Sequence, residues 1–254
     1  MLNGILSETR YALRRLIGDA RLTVTAVLTL SLGVGSAVVM MDLLDRLLVR
    51  PPSQVADPDS VARLYVGDAY RTFTTYPDFQ TIERELSAEL DSATAYYTQQ
   101  FSLGRGAGAR PIEAVAHSPD YFGVLGIRPQ LGSLAAATDP NTTHAVISYR
   151  LWQDYFGGAA DVIGRSIELG TVVYTIAAVM PPGFAGTEFT AVDIWVPLAA
   201  AGPQWMGDSW ETTNFAFLNM VVRLNPGFER EAAGARATTV VRNMADASPF
   251  LRAQ

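Results

Sequence analysis

The sequence predicts an α+β domain carried on a single N-terminal transmembrane helix, and three observations carry that expectation. Leu22 to Met41, LTVTAVLTLSLGVGSAVVMM, is a run of twenty residues without one charge. At about 1.5 Å per residue, a helix of that length crosses the roughly 30 Å hydrocarbon core of a bilayer. Downstream, strand-like and helix-like segments interleave without the regular alternation of a doubly wound sheet, which points to a mixed α+β core. Hydrophobic residues make up 49% of the 254 residues, enough to pack that core rather than leave the chain disordered.

The remaining composition is most useful for what it excludes. A net charge of −6 argues against nucleic acid as a partner, because neutralising phosphates needs a basic face. All 19 cationic residues are arginine. Without lysine there is no P-loop and no Schiff-base nucleophile. Without cysteine there is no disulfide, no thiolate nucleophile and no Cys-type zinc site.

Ahead of the apolar run, Leu2, Ile5, Leu6, Leu13, Leu16 and Ile17 recur at helical spacing. Residues 1–21 are therefore expected to form an amphipathic juxtamembrane helix. Its arginines, Arg10, Arg14, Arg15 and Arg21, would contact the lipid headgroups. A disordered basic tail is the alternative. Those four arginines outnumber Arg46 and Arg50 beyond the run, so the positive-inside rule places the N-terminus in the cytoplasm. The transmembrane helix is expected over residues 22–49. A cleaved signal peptide would offer similar small residues at Gly35-Ser36-Ala37, but the apolar character continues past them into LLDRLLV, which favours a retained anchor. Gly33 and Gly35 mark sites where other membrane helices could pack closely.

Arg50-Pro51-Pro52 ends the helix, and residues 50–254 form the outer domain. VARLYV (61–66) reads as a strand. TYPDFQTIEREL reads as a helix capped by Thr75, with Phe79, Ile82 and Leu86 on one face. SATAYYTQQFSL and ARPIEAVAHS form a hairpin around Gly104-Arg105-Gly106-Ala107-Gly108. SPDYFGVLGI reads as a helix capped by Ser118, with Pro119 in its first turn. After a loop over 132–143, HAVIS is a strand and SYRLWQDYFGG a short helix stopped by glycine. SIELG and TVVYTIAAVM pair around Gly170. DIWVPL and LNMVVRL are strands, and EREAAGARATTVVRNMA is a closing helix.

No catalytic constellation emerges from these elements. A phosphate-cradling loop at Gly104–Gly108 should open a helix, whereas strand-like residues follow it. His117 and His144 lie 27 residues apart with no metal-ligand spacing, and both read as packed or surface histidines. No DxDxDG, GxSxG or SxxK pattern is present. Neither a cofactor nor a metal is expected.

Several segments, in order, resemble one family. They are YALRRL with LTVTAVLTLSLGVGSA, then Tyr76-Pro77-Asp78-Phe79, SPDYFGVLGIRPQLG, VISYRLWQDYFGG, DVIGRSIELG, YTIAAVMPPGF and DIWVPL. Together they are similar to the N-terminal portion of MacB/FtsX-type ABC transporter permeases, especially the duplicated orphan permeases of acidobacteria, and to their MacB-like periplasmic core domain. The resemblance implies a mixed α/β periplasmic domain on the bacterial inner membrane. It further implies an ABC ATPase as a separate partner, other permease helices as neighbours in the lipid, and transport or efflux driven by motion of the periplasmic domain. It supplies no catalytic residue, and so no enzyme. A family permease continues with further membrane helices, whereas this chain stops at Leu251-Arg252-Ala253-Gln254, which implies a fragment or a split subunit with an incomplete core domain. A membrane-anchored sensing or adaptor module is the alternative from another class.

Overall fold

A computed structural model describes residues 20–44, 55–65, 73–187 and 190–247. The expected amphipathic helix, with Arg10, Arg14 and Arg15, lies outside them. The chain divides into two compact units, residues 1–51 and 52–254.

In the first unit, helix α1 runs from Ala20 to Leu44, starting two residues before the apolar run and ending three after it. Its apolar side chains project all round: Val24, Val27, Leu28, Leu30, Leu32, Val34, Val38 and Val39 are each more than half exposed. Such a surface is costly in water and natural in lipid. The hydroxyls are bonded inside the helix: Thr25 donates to the Arg21 carbonyl at 2.9 Å, Thr29 to Thr25 at 2.7 Å and Ser36 to Gly33 at 3.0 Å. No hydroxyl of these three would need water in a bilayer.

The second unit is a mixed sheet with helices on both faces. Its strands are β1 (Val61–Leu64), β2 (Leu90–Leu103), β3 (Arg110–His117), β4 (Leu131–Gly132), β5 (His144–Ile147), β6 (Ser166–Leu169), β7 (Val172–Val179), β8 (Ile194–Pro197) and β9 (Asn219–Leu224). Its helices are α2 (Tyr76–Glu85), α3 (Tyr121–Leu125), α4 (Tyr149–Phe156), α5 (Leu198–Met206) and α6 (Arg230–Ala247). The order along the sheet is β1-β9-β2-β3-β8-β5-β7-β4, and β6 bridges β7 back to β2 through Leu103 and Leu169. The pairings β2-β3-β8-β5-β7-β6 therefore close into a ring. Two of them are parallel, β3 with β8 and β5 with β7.

Alternation along the strands sorts the core into two layers. Ala114, Ala116, Ile147, Ile176, Ile194, Val196 and Met220 face one way, against Phe79 and Ile82 of α2, Leu198 of α5 and Ala233 and Ala237 of α6. Val115, Val146, Trp195 and Val221 face the other way, against Tyr121, Phe122 and Leu125 of α3.

The Thr75 cap on α2 forms as expected, and Ser148 caps α4 without having been expected to. The Thr75 hydroxyl accepts from the Asp78 amide at 3.1 Å, and the Ser148 hydroxyl accepts from the Leu151 amide at 3.0 Å. The Ser118 cap does not form. Helix α3 starts at Tyr121 with Asp120 at its N-cap, while the Ser118 hydroxyl bonds Thr94 Oγ1 at 2.9 Å and accepts from the Ala95 amide at 3.1 Å. Tertiary contact to β2 takes the oxygen that a local cap would have used. Helix α5 is absent from the sequence expectation, because Gly202 and Pro203 interrupt its pattern. The glycine is needed there: a Cβ at 202 would stand 2.6 Å from the Trp210 ring.

Candidate functional site

The parallel strands β3 and β8 end together at His117 and Pro197, which are partners in the register. Beyond these ends lies a small, open-sided cleft with room for about one water, walled by Tyr76, His117, Pro140, Leu198 and Trp210. Each wall has a local cause. Thr75 caps α2 and so fixes Tyr76, whose ring meets Trp210 at 4.8 Å between centroids. Trp210 is held flat against α5 by the bare Cα of Gly202.

His117 is the polar element of this site. It is 1% exposed and sits between Tyr121 and Phe122, at ring-centroid distances of 5.3 and 5.0 Å. Its Nδ1 lies 2.8 Å from the Ser118 carbonyl, an acceptor, so Nδ1 carries the proton and donates it. Nε2 is then a lone-pair acceptor, buried and without a protein partner. Burial pushes the imidazole down to about 4, against the smaller opposing pull of the carbonyl. The ring is neutral at any physiological pH. At the cleft wall, burial and then the Glu211 charge raise the Tyr76 hydroxyl above its ordinary value, so it too stays protonated.

His117 and Ser118 are adjacent but do not form a nucleophile–base pair. A nucleophile–base pair needs a hydroxyl on an imidazole nitrogen, and the third group must orient the ring. Here Nδ1 bonds a backbone carbonyl, and the adjacent Ser118 hydroxyl is spent on Thr94 and Ala95. His144 is remote in the topology, at the start of β5 against Thr175 of β7. Among the described residues no three of His, Cys, Asp or Glu gather as a metal would require. Gly104–Gly108 forms the β2–β3 hairpin turn with a 3-10 turn at Gly106–Gly108, and the turn is tied down by an ion pair from Arg105 to Glu168 on β6.

Gly33 and Gly35 both fall on α1, and a Cβ on either would meet nothing within 4 Å. Two positions apart, they face nearly opposite sides of the helix. Arg21 is in its first turn and exposed. The cleft has no mark in the sequence, since its walls come from five separate segments of the chain.

The chain belongs to the MacB-like periplasmic core domain family, whose sequence model matches residues 23–240. The family is a domain of ABC transporter permeases and is generally non-enzymatic; MacB-type permeases work with ABC ATPase partners. Among solved structures, the periplasmic region of MacB from Actinobacillus actinomycetemcomitans is similar at a TM-score of 0.58 and 12% identity, over 74% of this chain and 85% of that one. The extracellular domain of the noncanonic ABC-type transporter YknZ from Gram-positive bacteria is similar at 0.55 and 14% identity, over 73% of this chain and 95% of that one. At such identities the likeness is one of fold. No curated protein matches the chain.

Proposed function

We propose that this chain is a permease-type membrane subunit, or a piece of one, whose outer domain is moved by an ATP-hydrolysing partner during export or efflux. The observation that carries the reading is α1. Thr23–Asp42 is long and apolar enough to cross a membrane, and its large apolar side chains are exposed. A soluble domain gains nothing from an unburied apolar helix of this length. In this reading the four arginines Arg10, Arg14, Arg15 and Arg21 hold the N-terminus at the cytoplasmic face of the inner membrane, against anionic lipid. The domain after residue 50 lies outside. The anchor and its domain then act by contact and displacement, and the chemistry of ATP belongs to the partner.

The test is co-expression with the genomic neighbours, followed by purification from membranes. An ABC ATPase subunit or further permease helices should co-purify. A chain that stays soluble and monomeric under those conditions overturns the reading. Because the protein has no cysteine, orientation can be read from single introductions. An impermeant maleimide applied to spheroplasts should label Thr212→Cys and not Ser7→Cys.

A further inference from the structure

The chain enters its second unit through a short strap, Val55–Ser60, that contains one 3-10 turn at Pro58–Ser60 and leads into β1. A single guanidinium stitches this strap to two other elements. Arg223 of β9 donates from Nε to the Val124 carbonyl at 2.9 Å, from Nη1 to the Ser60 hydroxyl at 2.5 Å and from Nη2 to the Ala56 carbonyl at 2.8 Å. The Ala56 amide in turn donates to the Leu125 carbonyl at 3.0 Å. Val124 and Leu125 close α3, so these bonds also satisfy two carbonyls that a helix end leaves open. A second arginine, Arg230 at the start of α6, donates to the Asp59 carbonyl at 2.9 Å.

Two further features show that the strap is held rather than merely resting there. Asp57 has φ 45° and ψ 70°, the one positive φ outside glycine among the described residues. Such a conformation persists only when its surroundings impose it. Gly126, at φ 63°, lies so close that a Cβ there would stand 2.6 Å from the Ala56 Cβ.

We propose that Arg223 is a latch that makes the strap Val55–Ser60 move as part of the domain. A displacement of the preceding chain then reaches β9 and α3 directly instead of being absorbed as slack. The mechanical use of the latch rests on the reading of α1 as a membrane helix, but the latch itself belongs to the second unit alone. Its acceptors are all carbonyls or a hydroxyl, so opening it strands no buried carboxylate. Lysine cannot replace it, because one ammonium cannot fork to three acceptors on different elements.

Hydrogen exchange with mass spectrometry on the full chain in detergent micelles tests this. In Arg223→Ala the peptide covering residues 55–61 should exchange about tenfold faster, with Arg223→Lys between it and the native chain, while peptides from β2, β3 and β8 keep the native rate. If Arg223→Ala fails to fold, Ser60→Ala removes one arm of the latch and Arg230→Gln removes the separate tie from α6 to the Asp59 carbonyl. Each should speed the strap by about threefold, again alone. Strap exchange that stays native in Arg223→Ala, or in both milder variants, overturns the latch. So does a strap that opens only together with the whole sheet. Membrane extraction and cysteine labelling report separately on the anchor, so a failure of the transporter reading would leave this result standing.

Discussion

At His117 a polar ring is buried without a charge to balance it. Its native value near 4 lies below the ordinary 6.5, so the unfolded chain binds a proton first as the pH falls. The sign follows directly. Stability from this group is complete above about pH 6.5, declines between there and 4, and is lost below by roughly 3 kcal/mol. Urea midpoints at pH 7.5 and 4.5 should therefore differ, and His117→Gln should remove most of that difference while keeping a donor for the Ser118 carbonyl. An unchanged pH slope in the variant would assign the acid sensitivity to other groups. Gly202 makes an equally local demand, for a different reason. Its missing side chain is where Trp210 lies, so Gly202→Val should cost about 1–3 kcal/mol and red-shift part of the tryptophan emission as the ring is driven towards solvent.

Among the elements, those with a local cause were legible in the sequence and those with a tertiary cause were not. The Thr75 cap, the glycine stop at Gly157, the glycine turns at Gly104–Gly108 and Gly170 and the apolar spacing of Phe79 and Ile82 all act within a few residues, and each appears in the fold. Ser118 reads as a cap by the same rule, yet its hydroxyl is taken by β2, which lies 24 residues away in sequence. Helix α5 carries Gly202 and Pro203, and only its contact with Trp210 makes the glycine sensible. The ring of strands, with its one-pair closure from β2 to β6, has no sequence mark at all. The cleft shares that origin, since its walls come from separate elements, and the mixed α/β class was easier to read than the cleft. The capping contrast can be measured. Ser148→Ala removes a helix cap and should lower stability by about 1 kcal/mol. Ser118→Ala strands the buried Thr94 hydroxyl and the Ala95 amide and should cost more, about 1–3 kcal/mol, in the same denaturation assay.

For the whole molecule, if α1 is the membrane helix proposed above, the decisive question is whether it only anchors the domain or also meets other helices, and two glycines can separate these roles. Leucine is more favourable than glycine inside a membrane helix, so Gly33→Leu and Gly35→Leu should leave retention in carbonate-washed membranes intact. Helix association in lipid depends on close backbone approach, which a leucine at the contact blocks. The two positions face nearly opposite sides of α1, so a single neighbour cannot use both. One substitution should therefore sharply reduce co-purification of partner helices while the other has little effect, and the sensitive position identifies the side of α1 that meets the partner. Equal recovery of partners from both variants would mean that α1 is an anchor and nothing more. Leu30→Arg supplies the opposite control: a guanidinium at mid-helix costs about 2.5–3.5 kcal/mol on insertion scales and should release the protein from the membrane fraction whatever its partners do.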